Sequence, residues 1–365
     1  MTDKRHIVFV DDEPLVLAAL RRLTHARRGA WTCHFADGGE AALGLLQSVS
    51  ADVIVTDMRM PGIDGAELLR RVKEIQPHTV RIILSGYSEE ESILRAIGPA
   101  HQYLAKPCDQ ATLEATIDRA LGLRAILNRP ALLDLVGSLD SLPSPADHHL
   151  RLMRRLEDPT ASCEAVASLV GQDIGMLAEL LRVTNSQYFA LTRPAATADQ
   201  AIRFLGVETV RLLVLRMGLF RMFSGSPAVA DTIAAIETRA LQMATAARRD
   251  AVAAGLSPAQ ADEMACAGML WEIGLLALLD RWPTRLLQIL TATSAEGRDL
   301  GAALTEELGA SHFEVGGYLL GLWGFRTTVV EAVTLLADVG QDVPARDARL
   351  GLLRRCAAAV DIPLR

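Results

Sequence analysis

The feature that most constrains this chain is a change of hydrophobic period near residue 125. Before it, short β-branched runs alternate with stretches of helical spacing; after it those runs vanish and Ala, Leu and Arg dominate a helical pattern. Strands that alternate with helices imply a parallel sheet, because each parallel crossover needs a long connection, usually a helix. The predicted strands are Ile7–Val10, Thr32–Phe35, Val53–Thr56, Val80–Leu84 and Tyr103–Ala105. Several are apolar at nearly every position, as expected where helices cover both faces of a sheet. The expected architecture is an α/β doubly wound domain on a five-stranded parallel sheet, followed by an all-α domain.

Two domains also suit the length, since 365 residues exceed the roughly 250–300 at which a single core stops growing. The predicted boundaries are 1–125 for the α/β domain, 126–146 for a helical linker, 147–337 for the helical domain and 338–365 for a C-terminal helical extension. The segment from Thr112 to Leu127 reads as one helix running past the first domain until Pro130 interrupts it. SLPSPADHH, Ser141–His149, reads as a connector.

No apolar run approaches the roughly 18 residues of a membrane-spanning helix, so no membrane association is expected. The start, MTDKRHIVFVDDE, lacks the features of a signal peptide, and the expected location is the cytoplasm. Five scattered cysteines without a C-x-x-C pair read as small buried hydrophobes. A formal charge of -7 and a pI near 5.7 argue against nucleic acid as the main partner.

In a doubly wound fold, ligands sit beyond the carboxyl ends of the strands. Asp11 and Asp12 follow the first predicted strand, Asp57 the third, Ser85 the fourth and Lys106 the fifth. Carboxylates gathered in one pocket call for a hard divalent cation with oxygen ligands, most plausibly Mg²⁺. With an ammonium and a hydroxyl beside it, a carboxylate there suits nucleophilic attack on a phosphoryl group. Lys106 carries particular weight because the chain holds only three lysines, Lys4, Lys73 and Lys106. Taken singly, each of these residues is an ordinary turn former or solvated strand end.

The segments DDE (Asp11–Glu13), VIVTDMRMPGIDG (Val53–Gly65), ILSG (Ile83–Gly86) and YLAKP (Tyr103–Pro107) resemble response-regulator receiver domains, in order and spacing. The resemblance covers the first third of the chain and implies a flavodoxin-like fold in a bacterial two-component phosphorelay. It implies Asp57 as phosphoacceptor, and Mg²⁺ held by Asp12, Asp57 and the Arg59 carbonyl, with Asp11 an outer acid ligand. It further implies Lys106 and Ser85 as contacts of the phosphoryl oxygens, Ser85 and Tyr103 as switch residues, and a sensor histidine kinase as partner. Pro61, Gly62 and Gly65 shape the loop after the acceptor strand.

The second half is similar to the HDOD family, a helical relative of HD-type metal-dependent phosphohydrolases. Four segments carry the likeness: Leu180–Leu191, Ala201–Leu215, Gly268–Leu278 and Ser311–Phe325, with Asn185, Ser186 and Gly206 at the family's recurrent polar and turn positions. Where an active relative reads His-Asp, this chain has Trp271 and Glu272, and Arg239 falls near the position of the first metal histidine. Beyond His149 the only histidine is His312, too few for a metal site built on imidazoles. The implied output is a regulatory module, not an enzyme, with no cofactor and an unidentified protein partner; a homodimer is a further expectation. Two other readings stay open: a divergent cyclic di-nucleotide phosphodiesterase, and a nucleotide-binding regulator without catalysis. Trp271 and Trp323 are expected in the core and His312 as a helix-capping or core residue; Glu272 reads equally as a buried partner of an arginine or as a chemical group, and Arg203, Arg211, Arg216 and Arg221 as partly solvated helix faces or a partner surface.

Overall fold

A computed structural model describes residues 4–86, 99–123, 127, 129–186, 189, 191, 193–338 and 348–359. The chain forms two compact units; the body of the first ends at Asp140 and the second begins at Ser141. Among the described residues, no helix is long and apolar enough to cross a membrane.

The first unit runs β1 (Arg5–Val10), α1 (Pro14–Leu23), β2 (Trp31–Ala36), α2 (Gly39–Leu46), β3 (Val53–Asp57), α3 (Gly65–Ile75), β4 (Val80–Gly86), β5 (Gln102–Lys106), α4 (Gln110–Leu123) and α5 (Pro130–Gly137). The five strands are all parallel, in the order β2-β1-β3-β4-β5. All five predicted strands are present, each extended by one or two residues. This is the flavodoxin-like doubly wound order, in which the chain reverses direction across the sheet at β1 and β3. Ile7, Phe9, Val53, Val55 and Ile82 are fully buried, which explains why the sequence shows continuous apolar runs where one-sided strands would alternate. On α3, Asp64 caps the helix by accepting from the Glu67 amide at 2.8 Å, while Leu68, Leu69 and Val72 turn inward.

Of the expected helix from Thr112 to Leu127, the part up to Leu123 lies in α4; residues 124–126 lie outside the described ones, Leu127 is not helical, and Pro130 opens α5 as a new helix. Proline lacks an amide hydrogen and has a fixed φ, which suits a helix start far better than a helix interior. Helix α5 packs back on its own unit. Arg81, fully buried in β4, donates to the carbonyls of Pro99 (2.6 Å), Pro77 (3.3 Å) and Gly137 (2.7 Å), and Asp134 lies 3.0 Å from His78. A buried guanidinium is tolerated only when it is surrounded by acceptors, and here those acceptors fasten the end of α5 to the sheet.

The second unit begins with β6 (Pro143–Ser144) and the helices α6 (Ala146–Glu157), α7 (Cys163–Val170), α8 (Ile174–Thr184), α9 (Ala198–Leu205) and α10 (Val207–Met217). It continues through β7 (Arg221–Met222), α11 (Pro227–Ala253), α12 (Pro258–Leu270), α13 (Ile273–Arg281), α14 (Pro283–Glu296), α15 (Leu300–Leu308), α16 (His312–Leu322), α17 (Thr327–Thr334) and α18 (Ala348–Ala359). The expectation of an all-α unit needs one correction: β6 and β7 pair in parallel, Pro143 opposite Arg221. Two-residue strands carry too little sequence to show a period. The supposed connector Ser141–His149 thus supplies β6 and the first turn of α6. Ser257 and Gln260 form a reciprocal capping box at the start of α12, and Ser311 with Glu314 does the same for α16.

The cysteines are also less uniform than expected, with Cys266 and Cys356 buried but Cys33, Cys108 and Cys163 half-buried. Arg203 and Arg221 are surface residues paired with Asp199 and Asp280. Arg211, by contrast, is partly buried and donates to the carbonyls of Leu156 (2.5 Å) and Asp158 (3.1 Å), so it ties α10 to the end of α6. The Arg216 side chain lies outside the described set.

Candidate functional site

The carboxyl ends of β1, β3 and β5 bring Asp11, Asp57 and Lys106 together. Lys106 Nζ donates to Asp11 Oδ2 at 2.8 Å and also to Asp57 Oδ1, so one ammonium bridges two carboxylates. Both acids are buried, Asp11 at 1% and Asp57 at 7% exposure, which in a medium poor in water strengthens every charge interaction between them. The Arg59 amide donates to Asp57 Oδ2 at 2.7 Å and the Glu13 amide to Asp11 Oδ1 at 3.0 Å, fixing both carboxyl planes.

Burial raises the Asp57 carboxyl above its ordinary range; Lys106 pulls it down, but not enough to reverse the shift. Burial also works against the charged form of Lys106, yet its hydrogen bonds and attraction to Asp11 and Asp57 outweigh this and leave its pKa raised. Among the three groups the ammonium is thus held firmly charged, where an incoming anion needs it.

Ser85 is buried at the end of β4 with its hydroxyl 3.4 Å from the Gly86 carbonyl, and Tyr103 is buried on the neighbouring β5. Asp12 is half-buried and takes no part in the Lys106 bridge. The loop after β3 depends on glycine. A Cβ on Gly65 would sit 2.2 Å from the Asp57 carbonyl oxygen, and Gly62 adopts φ +77°. Lys106 precedes Pro107 through a cis peptide bond.

In the helical unit, Arg239 and Glu272 form an ion pair. Arg239 on α11 meets Glu272, between α12 and α13, with Nη2 2.7 Å and Nε 2.9 Å from Oε1. The guanidinium carbon lies 5.2 Å from the Trp271 ring centroid, in cation–π range. Burial raises the Glu272 carboxyl, and Arg239 opposes that. Trp271 and Trp323 are both core residues at 3% exposure. Asn185, at the end of α8, holds Ala195 through two hydrogen bonds, 2.8 Å to its carbonyl and 2.7 Å from its amide. Gln187, Tyr188 and Ala190 of the same motif lie outside the described residues.

His312 is buried, as expected. Burial, with Arg239 adding repulsion, pushes its imidazole down to about 3. In the unfolded chain the imidazole titrates near ~6.5, so as the pH falls the unfolded state takes the proton first. The stability that His312 contributes is therefore intact above ~6.5 and is lost on descending toward 3. Between pH 7.5 and pH 5 this amounts to about 2 kcal/mol. Urea unfolding of wild type and His312→Gln at both pH values checks this: the difference between the two proteins should shrink by that amount at pH 5, and an unchanged difference refutes it.

Sequence reasoning passed over Asp173 and Glu237, which meet His148 in the helical unit. Burial pushes the Glu237 carboxyl up to about 9, Asp173 and Asp147 adding repulsion and Arg151 opposing. Residues 25 and 64 positions apart along the chain give no local pattern, and Asp173 reads simply as a helix cap. The one available signal was the doublet His148-His149 in a chain poor in histidine.

Comparison with known proteins follows the same division. Residues 7–118 match the model of the response regulator receiver domain, and residues 142–339 that of the HDOD domain. The chain is 38% identical over 138 residues to the hydrogenase transcriptional regulatory protein HoxA of Cupriavidus necator, which covers 37% of this chain and 28% of that protein. It is 34% identical over 127 residues to the regulatory protein AtoC of Escherichia coli, covering 34% of this chain and 27% of that protein. These alignments therefore span less than a third of either relative. Among solved structures, the MmoQ response regulator from Methylococcus capsulatus is similar with a TM-score of 0.50 and 25% identity, over 60% of this chain and 86% of that one.

Proposed function

Because the chain belongs to the HDOD domain family and carries a response regulator receiver domain ahead of it, we propose that phosphorylation of Asp57 by a sensor histidine kinase controls an HDOD half that binds a protein partner and catalyses nothing. The observation that carries this reading is the Lys106 ammonium held between buried Asp11 and Asp57 at the strand ends.

The donors around Asp57 are oxygens, which suit a hard cation such as Mg²⁺. Asp12, Asp57 and the Arg59 carbonyl would hold it, with Asp11 acting through a water. When bound, the cation supplies charge that lets an anionic donor approach three acids. A carboxylate oxygen of Asp57 forms the bond to phosphorus as the donor's bond to that phosphorus breaks, and the leaving group departs with the electron pair. Lys106 pairs with the transferred oxygens and Ser85 donates its hydroxyl to them. Tyr103, opposite Ile83 on the strand adjacent to the one that carries Ser85, transmits the change as the switch residue.

For the HDOD half, the Arg239–Glu272 pair supports a non-catalytic role: a fixed guanidinium supplies the positive charge a metal would bring, and it offers no coordination position to a water. The test is affinity capture from native lysate with three baits: wild type with Mg²⁺ and beryllofluoride, wild type without them, and Asp57→Asn. Beryllofluoride stands in for the phosphoryl group. A defined protein enriched several-fold on the first bait alone is the expected result. Retention of a cyclic di-nucleotide and its hydrolysis by the purified protein would overturn the non-catalytic reading.

A further inference from the structure

In the helical unit, His148 from α6, Asp173 at the start of α8 and Glu237 in α11 point at one another. His148 Nδ1 lies 3.6 Å from Asp173 Oδ2 and 3.6 Å from Glu237 Oε2, and one ligand atom from each residue lies within 4.8 Å of the others. Distances of 3.6 Å are too long for hydrogen bonds. Correspondingly, Nδ1 is shut off from solvent without a hydrogen-bond partner. Two ligand atoms each about 2.1 Å from a tetrahedral cation stand about 3.4 Å apart. The cluster has the spacing of a coordination shell.

Glu237 provides the second observation. Its side chain is only 7% exposed, yet it makes no hydrogen bond to a described residue, and its one ion-pair neighbour is His148. Asp173 is fully buried. Its Oδ1 caps α8 by accepting from the Met176 amide at 2.8 Å, while the Ser144 hydroxyl donates to Oδ2 and holds that oxygen toward His148. No lysine or arginine pairs with either carboxylate among the described residues. Two buried carboxylates without a hydrogen-bonded cation are costly, and a metal ion at their meeting point removes the cost.

We propose that His148, Asp173 and Glu237 bind a divalent transition cation of the zinc class, leaving one position for an exchangeable ligand. One imidazole and two carboxylates favour Zn²⁺ or Mn²⁺ over the all-oxygen preference of Mg²⁺. The site is separate from the Arg239–Glu272 pair: Glu237 precedes Arg239 by two positions on α11, which turns it about 200° around the helix. The cation ties α6, α8 and α11 together and does not depend on the function proposed above.

The test uses the full chain, stripped with EDTA and dialysed, with excess Mg²⁺ present to occupy the oxygen site near Asp57. Titration with Zn²⁺ should give one ion per chain, and Co²⁺ in its place should give the strong visible absorption of a four-coordinate site. His148→Ala and Glu237→Gln should each weaken Zn²⁺ binding by about 100-fold or more and remove the Co²⁺ band; Asp57→Asn should change neither. Circular dichroism establishes that the variants fold, and His148→Gln replaces any that does not. Zinc binding that is absent from wild type, or equal in wild type and the His148 variant, overturns the proposal. In the first case the cluster is a purely structural contact between α6, α8 and α11.

Discussion

Asp57→Asn is expected to reduce phosphate incorporation from radiolabelled acetyl phosphate to background, more than about 100-fold below wild type. The amide oxygen of asparagine is neutral, and its lone pairs are delocalised into the C–N bond, so it does not attack phosphorus as a carboxylate does. The loss should be chemical, with the fold intact. The Arg59 amide can still donate to the side-chain oxygen, and Lys106 retains Asp11 at 2.8 Å. Removing one of two buried acids also relieves repulsion, since Asp11 is among the groups that raise the Asp57 carboxyl. The thermal midpoint of the variant should therefore equal or slightly exceed that of wild type. Undiminished labelling of Asp57→Asn would show that the phosphoryl group goes elsewhere.

The second large effect concerns Arg239. Its replacement by alanine leaves the Glu272 carboxylate, 1% exposed, without its hydrogen-bonded partner. Breaking one side of a buried ion pair costs about 3–5 kcal/mol, because the remaining charge stays desolvated. Two of the four tryptophans, Trp271 and Trp282, lie in the helical unit, so its urea transition can be followed by fluorescence. Arg239→Ala should move that transition sharply to lower urea. Arg239→Met combined with Glu272→Met should recover most of the loss, since no charge is then left buried. A shift of less than about 1 kcal/mol for the single variant would mean that Glu272 is satisfied in another way.

Much of the receiver unit was legible in the sequence because its constraints are local. A strand buried on both faces must be apolar throughout, and a fold that binds at strand ends puts its polar groups directly after those runs. Asp11, Asp57, Ser85 and Lys106 could therefore be located from their neighbours alone. The scarcity of histidine in the helical half was equally plain, since His312 is the only one beyond His149. The Glu272–arginine pair was one of two readings the sequence left open, a buried acid having few stable alternatives.

Tertiary structure alone decided the rest. That Lys106 bridges Asp11 and Asp57 while Asp12 stands apart follows from side-chain rotamers at the sheet edge. Helix α5 is held to its own unit by the buried guanidinium of Arg81, an attraction that a period count does not register. His148, Asp173 and Glu237 belong to three helices and read in sequence as a connector, a cap and a helix face. Sequence specifies the period and chemistry of each segment, whereas a cluster assembled across helices exists only once packing has fixed which faces meet.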